Sequence, residues 1–440
     1  PKLHRCVNEP WVNYYGIFEE VINTQFLDES LKKSLLKVRQ NFLHGNKVSI
    51  WDFSDVLPVP KIISLGEGGT PLHRLINYRK ETHCKIFIKN EGVNPSHVYK
   101  DRESSIAINR CIKEGLKMIS LASTGNAAQS ISLYAKQVNI LPFLFISDLA
   151  SPNKVAKMIQ NHARVIILKD SLMEDAFKMS RDLSPFLEKR GIVDCNPGID
   201  WLRREGDKTI AFELFAQLGK VPDWIIAACG NGSSTNGIFK GFKEMKVAGI
   251  IEKMPKMVGV QIIGGDPIPR GVAMRQQYKP VEIKHPTESL GDAASASFDY
   301  IAAVQAILES HGIGVSVTDI QIAASTAQFI IDEQRLLNIC IPEVTTSEVL
   351  AGFDELIKNG KIKPGETVVF FFSSHGQNDT KNLQKLLIDN NYQTEWAILT
   401  KYLPSSGTIS YQDISDSKYV RVVSNDVDEV KRSVEDLINQ

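Results

Sequence analysis

Several things are scarce in this chain of 440 residues. It has six cysteines, Cys6, Cys84, Cys111, Cys195, Cys229 and Cys340, and no two of them form a C-x-x-C pair. That spacing argues against a zinc knuckle or a redox dithiol and for inert thiols in a reducing compartment. Neither sign of charge is in excess, since 51 Lys and Arg face 51 Asp and Glu, so nothing points to nucleic acid or an anionic membrane. A small, locally read ligand is the better expectation. Long apolar runs are missing as well: "ILPFLFIS" and "TVVFFFSS" are far too short to cross a bilayer, and no basic segment followed by an apolar one opens the chain. These absences predict a soluble, cytoplasmic protein with no nucleic-acid, membrane or metal partner.

What is present is an alternation. From about residue 84, short β-rich runs such as "KIFIKNE", "MISLAST", "ILPFLFIS" and "RVIILK" are separated by helical patterns such as "SSIAINRCIKEG", "NAAQSISLYAKQ" and "NKVAKMIQNH". Strands alternating with covering helices define the α/β class, with sheets that are mainly parallel. The rhythm breaks near residue 195 and resumes with "KTIAFELFAQLG" and "DWIIAACG", which predicts two sheets rather than one. The stretch from about 265 to 300 is punctuated by Gly, Pro and Ser and reads as loops.

Two of the strands run through small-residue loops straight into helices: "SLASTGNAAQS" and "IAACGNGSSTNGIF". A strand-to-helix turn of this kind leaves backbone N–H groups pointing outward at the positive end of a helix dipole, where they attract anions. One such loop is a weak signal. Upstream lies Lys100, between the Pro-punctuated turn "EGVNPSHVY" and a helical pattern. Most lysines are solvated surface charges, yet two anion-binding loops and a lone amine form the set that pyridoxal 5'-phosphate requires: an amine to hold it, a nest for its phosphate and a nest for a substrate carboxylate.

The blocks "SLGEGGTPL", "KNEGVNPSHVYKDR", "ASTGNAA", "REGDKTIAFE", "GNGSSTNGIFKGFKE", "PEVTTSEVLAG" and "SSHGQND" fall in the order and context of threonine synthase. Over roughly residues 60 to 380 the chain resembles that family, whose fold-type II architecture is similar to that of tryptophan synthase β: two α/β domains with the cofactor between them. The resemblance implies a large domain of residues 1–89 plus 194–440 that binds the cofactor phosphate, and a small domain of residues 90–193. It implies Lys100 as the Schiff-base lysine and Asn126 as the partner of the ring hydroxyl. The phosphate nest becomes Gly230, Asn231, Gly232, Ser233 and Ser234, and the carboxylate loop Ser123, Thr124, Gly125, Asn126 and Ala127. Ser373 takes the place of the neutral hydroxyl at the pyridine nitrogen. Arg203, Arg204 and Lys208, in "RREGDKT", fall where the family meets the substrate's phosphate; the alternative is that Lys208 and one arginine cap and solvate a helix start. The implied reaction converts O-phosphohomoserine and water to threonine and phosphate, in a homodimer.

The sequence departs from that pattern at its centre. Ser96, His97, Val98 and Tyr99 replace the usual small run and phenylalanine before the lysine, and Glu103 stands where a glycine usually follows "KDR". His97 reads as an acid–base group or as a structural loop histidine, and Glu103 suits the first turn of a helix. The inserted "GIDWL" and the C-terminal "VRVVSNDVDEVKRSVEDL" resemble cysteate synthase, which implies β-replacement on O-phosphoserine as an alternative. Two further readings are a dehydratase acting on free serine or threonine and a non-catalytic relative that binds cofactor or amino acid.

Overall fold

The computed structural model describes residues 24–123, 125–196, 200–275, 299–403, 414–415 and 417–439. Two sheets form, as the alternation predicts. The larger has the order β1-β2-β10-β7-β8-β9, comprising β1 (Leu72–Arg74), β2 (Lys85–Asn90), β7 (Trp224–Ala228), β8 (Lys256–Ile262), β9 (Ile313–Val317) and β10 (Thr367–Phe372); β1 is antiparallel to β2 and the other pairings are parallel. The smaller, wholly parallel, has the order β11-β5-β4-β3-β6, from β3 (Met118–Ala122), β4 (Leu141–Ser147), β5 (Arg164–Leu168), β6 (Ile192–Asp194) and β11 (Val420–Val423). Central strands such as β5 and β10 are buried along their whole length, because helices cover both faces of each sheet.

The helices that matter for the site are α1 (Thr24–Leu43), α2 (Lys100–Lys113), α3 (Asn126–Lys136), α4 (Pro152–Gln160), α5 (Met173–Glu188), α6 (Arg204–Leu218) and α7 (Ser233–Val247). Helix α2 carries Asp101 and Glu103 in its first turn and Arg110 and Lys113 in its last, the arrangement that complements the helix dipole. Helix α7 packs on α6 and α1 over one face of the larger sheet, with Phe212, Phe239 and Phe242 in that core.

Two expectations need correcting. Residues 420 to 438 do not join the larger sheet, where the division at 194–440 puts them. Strand β11 pairs with β5, and the helix Val427–Ile438 packs its Val430, Val434 and Leu437 against Phe177 and Leu183 of α5. An otherwise bare edge of the smaller sheet is covered in this way. Within the stretch expected to be loop, Pro267–Met274 is a helix, started by a proline at its first position, where the missing N–H costs nothing; residues 276–298 lie outside the described residues. Among the described residues no helix is long and apolar enough to cross a membrane. Cys111, Cys195, Cys229 and Cys340 are buried free thiols and Cys84 is half-buried.

Parallel pairing fixes where loops gather. Strands β2, β10 and β7 are neighbours with Phe372 opposite Asn90 and Phe371 opposite Ala227, so the segments leaving their C-terminal ends emerge side by side, where α/β folds bind ligands.

Candidate functional site

The segment after β2 is stitched to the end of β10. Tyr99 N–H donates to the Ser373 carbonyl at 2.8 Å and His375 N–H to the His97 carbonyl at 3.0 Å. His97 adopts φ +63°, in the left-handed region that a histidine enters at some cost. Lys100 is thereby delivered, as the first residue of α2, to the mouth of the larger sheet.

Its amine has three close neighbours. Nζ lies 2.5 Å from Glu103 Oε1, 2.9 Å from Ser233 Oγ and 4.5 Å from the centre of the Tyr99 ring. The Tyr99 hydroxyl also reaches Ser233 Oγ, at 3.1 Å. Lys100 and the "GNGSS" loop are therefore in direct contact. Burial opposes the ammonium charge, but the Glu103 carboxylate, helped by Tyr99 and Asp207, holds the Lys100 pKa above the usual lysine value.

The loop itself is held from its carbonyl side. Its carbonyls are taken from behind: Gln261 Nε2 donates to Cys229 O at 2.7 Å and Gly230 O at 3.2 Å, and Asp299 N–H donates to Asn231 O at 3.2 Å. Ser233, Ser234 and Thr235 open α7, so their N–H groups have no carbonyl four residues back within the helix. Gly232 turns with φ +89°, and a Cβ there would fall 2.5 Å from Ala303 Cβ; only glycine permits this close turn.

Asn126 starts α3. Its Nδ2 donates to Glu343 Oε2 at 3.0 Å, while its Oδ1 is buried without a partner. Glu343 is fixed by Lys154 Nζ at 2.5 Å. The lysine stem lies over Gly125, where a Cβ would come 2.4 Å from Lys154 Cδ. Ser123 Oγ accepts Gly125 N–H at 3.1 Å, and Ala127 is buried in the first turn of α3. Thr124 lies outside the described residues. Ser373 Oγ, at the end of β10, is 2.9 Å from Thr346 Oγ1, which also meets Ser374.

The three cations of "RREGDKT" separate. Arg203 Nη1 donates to the Cys195 carbonyl at 2.5 Å, and its Nη2 is 3.1 Å from Glu103 Oε2. Arg204 pairs with Asp299 at 2.8 Å. Lys208 belongs elsewhere: it is buried between Glu205 at 2.8 Å and Glu244 at 3.1 Å. Thus Arg203 joins the Lys100 cluster through Glu103, and Lys208 does not.

Sequence reasoning missed Asp207, Glu343, Lys154 and the part played by Glu103. Asp207 is fully buried on α6, and neither of its oxygens meets a donor. Burial and then the neighbouring Glu103 push its pKa well above the usual carboxylate range. Glu103, by contrast, is held below its ordinary value: burial works against its charge, and Lys100 and Arg203 overcome it. Glu343 lies in a quoted block, whereas nothing in the sequence marks Lys154.

An amine beside the N-terminal turn of α7, together with a buried asparagine oxygen without a partner at the start of α3, fits pyridoxal phosphate, whose phosphate and ring hydroxyl need such groups. The family described as pyridoxal-phosphate dependent enzyme matches residues 63–374. The chain is 33% identical over 361 residues to a threonine synthase of Methanocaldococcus jannaschii, covering 78% of this chain and 84% of the relative. With a threonine synthase of Methanosarcina acetivorans it shares 30% over 353 residues, covering 79% and 85%. Two solved structures share the fold. A fungal L-serine ammonia-lyase from Rhizomucor miehei has a TM-score of 0.62 at 19% identity, covering 74% of this chain and 98% of that one. The processed threonine deaminase isoform 2 of Solanum lycopersicum has a TM-score of 0.59 at 20% identity, covering 81% and 92%. Because the family match runs from before β1 to the residues just past β10, this chain belongs to the pyridoxal-phosphate dependent enzymes, of fold type II and of the lyase or synthase kind.

Proposed function

We propose that this enzyme eliminates phosphate from an O-phospho amino acid and then adds water, O-phosphohomoserine giving threonine. The observation that carries this reading is the chain of contacts from the "GNGSS" loop through Lys100 and Glu103 to Arg203, which puts an arginine fork beside the candidate cofactor lysine. A guanidinium matches a phosphate in geometry and charge. The relatives named threonine synthase support the same reading.

In it, Lys100 holds the cofactor, residues Gly230 to Ser234 its phosphate, and Asn126 its ring hydroxyl. When bound, the cofactor supplies the electron sink that no side chain offers. The loop Ser123 to Ala127 takes the substrate carboxylate. Lys100, once released, is the base for the α-proton. Ser373 sets a neutral hydroxyl, already engaged by Thr346, at the ring nitrogen, and without a carboxylate there elimination is favoured over racemisation and transamination. A substrate phosphate reaching Arg203 or Arg204 must compete with Glu103 or Asp299. Lys208, committed to two carboxylates, leaves phosphate recognition to the arginines.

β-Replacement on O-phosphoserine is the second reading. It is favoured by Tyr99 and Glu103, which add bulk next to Lys100 and so suit a shorter substrate. Phosphate release measured with both compounds decides between them. The first reading predicts that O-phosphohomoserine is preferred in kcat/KM by about 10–200-fold, the usual worth of one methylene, with threonine as product. Preference for O-phosphoserine overturns it in favour of the second, and release from neither overturns both.

A further inference from the structure

Glu103 and Lys100 lie one turn apart on α2, so their side chains share a face. In most such pairs both groups are solvated and the interaction is weak. Here Glu103 is 1% exposed and Lys100 13%, and they meet at 2.5 Å. The second Glu103 oxygen faces Arg203 at 3.1 Å. One buried carboxylate is therefore shared by two cations. The charge on Glu103 also opposes a second charge on the neighbouring Asp207, which adds to burial in raising the Asp207 pKa.

We propose that Glu103 is the counter-ion of the Lys100 nitrogen, a positioning residue that keeps a proton on that nitrogen when it is joined to the cofactor's carbonyl carbon. The proposal rests on the reading of Lys100 as the cofactor lysine. Where Glu103 stands, the resemblance expects glycine, so the device belongs to this chain's own residues. A protonated nitrogen leaves the attached carbon electrophilic, and an incoming amino group can displace Lys100 without first drawing a proton from solvent. Among the described residues, the charged and titratable groups that act on the pair are Tyr99, which precedes Lys100, Arg203 just before α6, Asp207 in the first turn of α6, and Asp299, paired with Arg204; Ser233 of α7 lies beside the amine. Arg203 works against the proton, and Glu103 outweighs it.

The test is spectroscopic. The protein is reconstituted with pyridoxal phosphate and the absorbance of the lysine-bound cofactor is followed against pH for wild type, E103Q, E103D, R203Q and E103Q/R203Q. Loss of a carboxylate in contact moves the midpoint for loss of the protonated form down by about 1–3 pH units in E103Q. E103D moves it the same way by less, R203Q moves it up, and the double variant recovers part of the shift. A structural role alone does not give opposite signs. Should E103Q fail to fold, E103D and R203Q carry the test. Equal midpoints in wild type and the Glu103 variants overturn the counter-ion role while leaving Lys100 as the cofactor lysine. A wild type without the band, or a band that survives in K100A, overturns the reading of Lys100 and the proposal with it.

Discussion

Arg102 and Lys100 leave the same turn of α2 into opposite kinds of company. Arg102 donates to Glu91 through Nε and Nη2 at 2.8 Å, to Glu213 through Nη1 at 2.6 Å and Nη2 at 2.8 Å, and to Thr209 at 2.8 Å. Lys89 adds a second cation on Glu213 at 2.6 Å. That cluster is closed, and Glu213 is held down at about 2 because Arg102 and Lys89 together overcome the effect of its burial. Around Lys100 the count does not close. Asp207 has two oxygens that meet no donor, and Glu103 divides itself between Lys100 and Arg203. A saturated buried network fixes geometry, whereas leftover acceptors and shifted protonation are the mark of a place where protons move.

The comparison can be broken by single substitutions. Glu213→Gln strips a carboxylate from two buried cations and is expected to cost about 3–5 kcal/mol in urea denaturation. Gly232→Ala forces a side chain into a left-handed turn against Ala303, with an expected loss of about 1–3 kcal/mol and weaker cofactor uptake, read by fluorescence titration. Asp207→Asn puts a neutral amide in place of a buried carboxyl that meets no donor and whose charge burial already opposes, so its stability cost is expected to stay within about 1 kcal/mol. A cost for Asp207→Asn equal to that for Glu213→Gln would erase the distinction between the clusters.

A further effect is in pH dependence. Burial, and then neighbouring His97, lower the His375 pKa to about 4. The unfolded chain therefore takes up a proton first, and the stability this histidine contributes is present above about pH 6.5 and lost as pH falls through 4. His375 Nδ1 also accepts Gln377 N–H at 3.2 Å, so His375→Asn, which can keep that bond, should flatten the acid side of the melting-temperature profile. An unchanged slope would place the acid sensitivity elsewhere.

Much of this was legible in the sequence. The α/β rhythm came from β-rich runs alternating with helical periodicity, and the two glycine-bearing loops lie at the starts of α3 and α7, where a strand-to-helix turn puts them. Strand β11 was not assignable to a sheet: "VRVV" has the composition of a strand, but only packing of Val430 and Val434 against α5 decides which edge it joins. Glu103 read as a helix-start acid because its partner Arg203 lies far along the chain. Asp207 looked like any aspartate, since its raised pKa depends on burial that composition does not show. Lys154 carried no signal at all; its role follows from Gly125 having no side chain.

Everything in the account passes through Lys100, and one measurement tests it most directly: absorbance spectra of wild type and Lys100→Ala reconstituted with pyridoxal phosphate, with circular dichroism to verify folding. The account predicts a visible band of lysine-bound cofactor in the wild type and its complete loss in a folded Lys100→Ala variant. A band of equal strength in that variant would contradict it and move the cofactor to another amine.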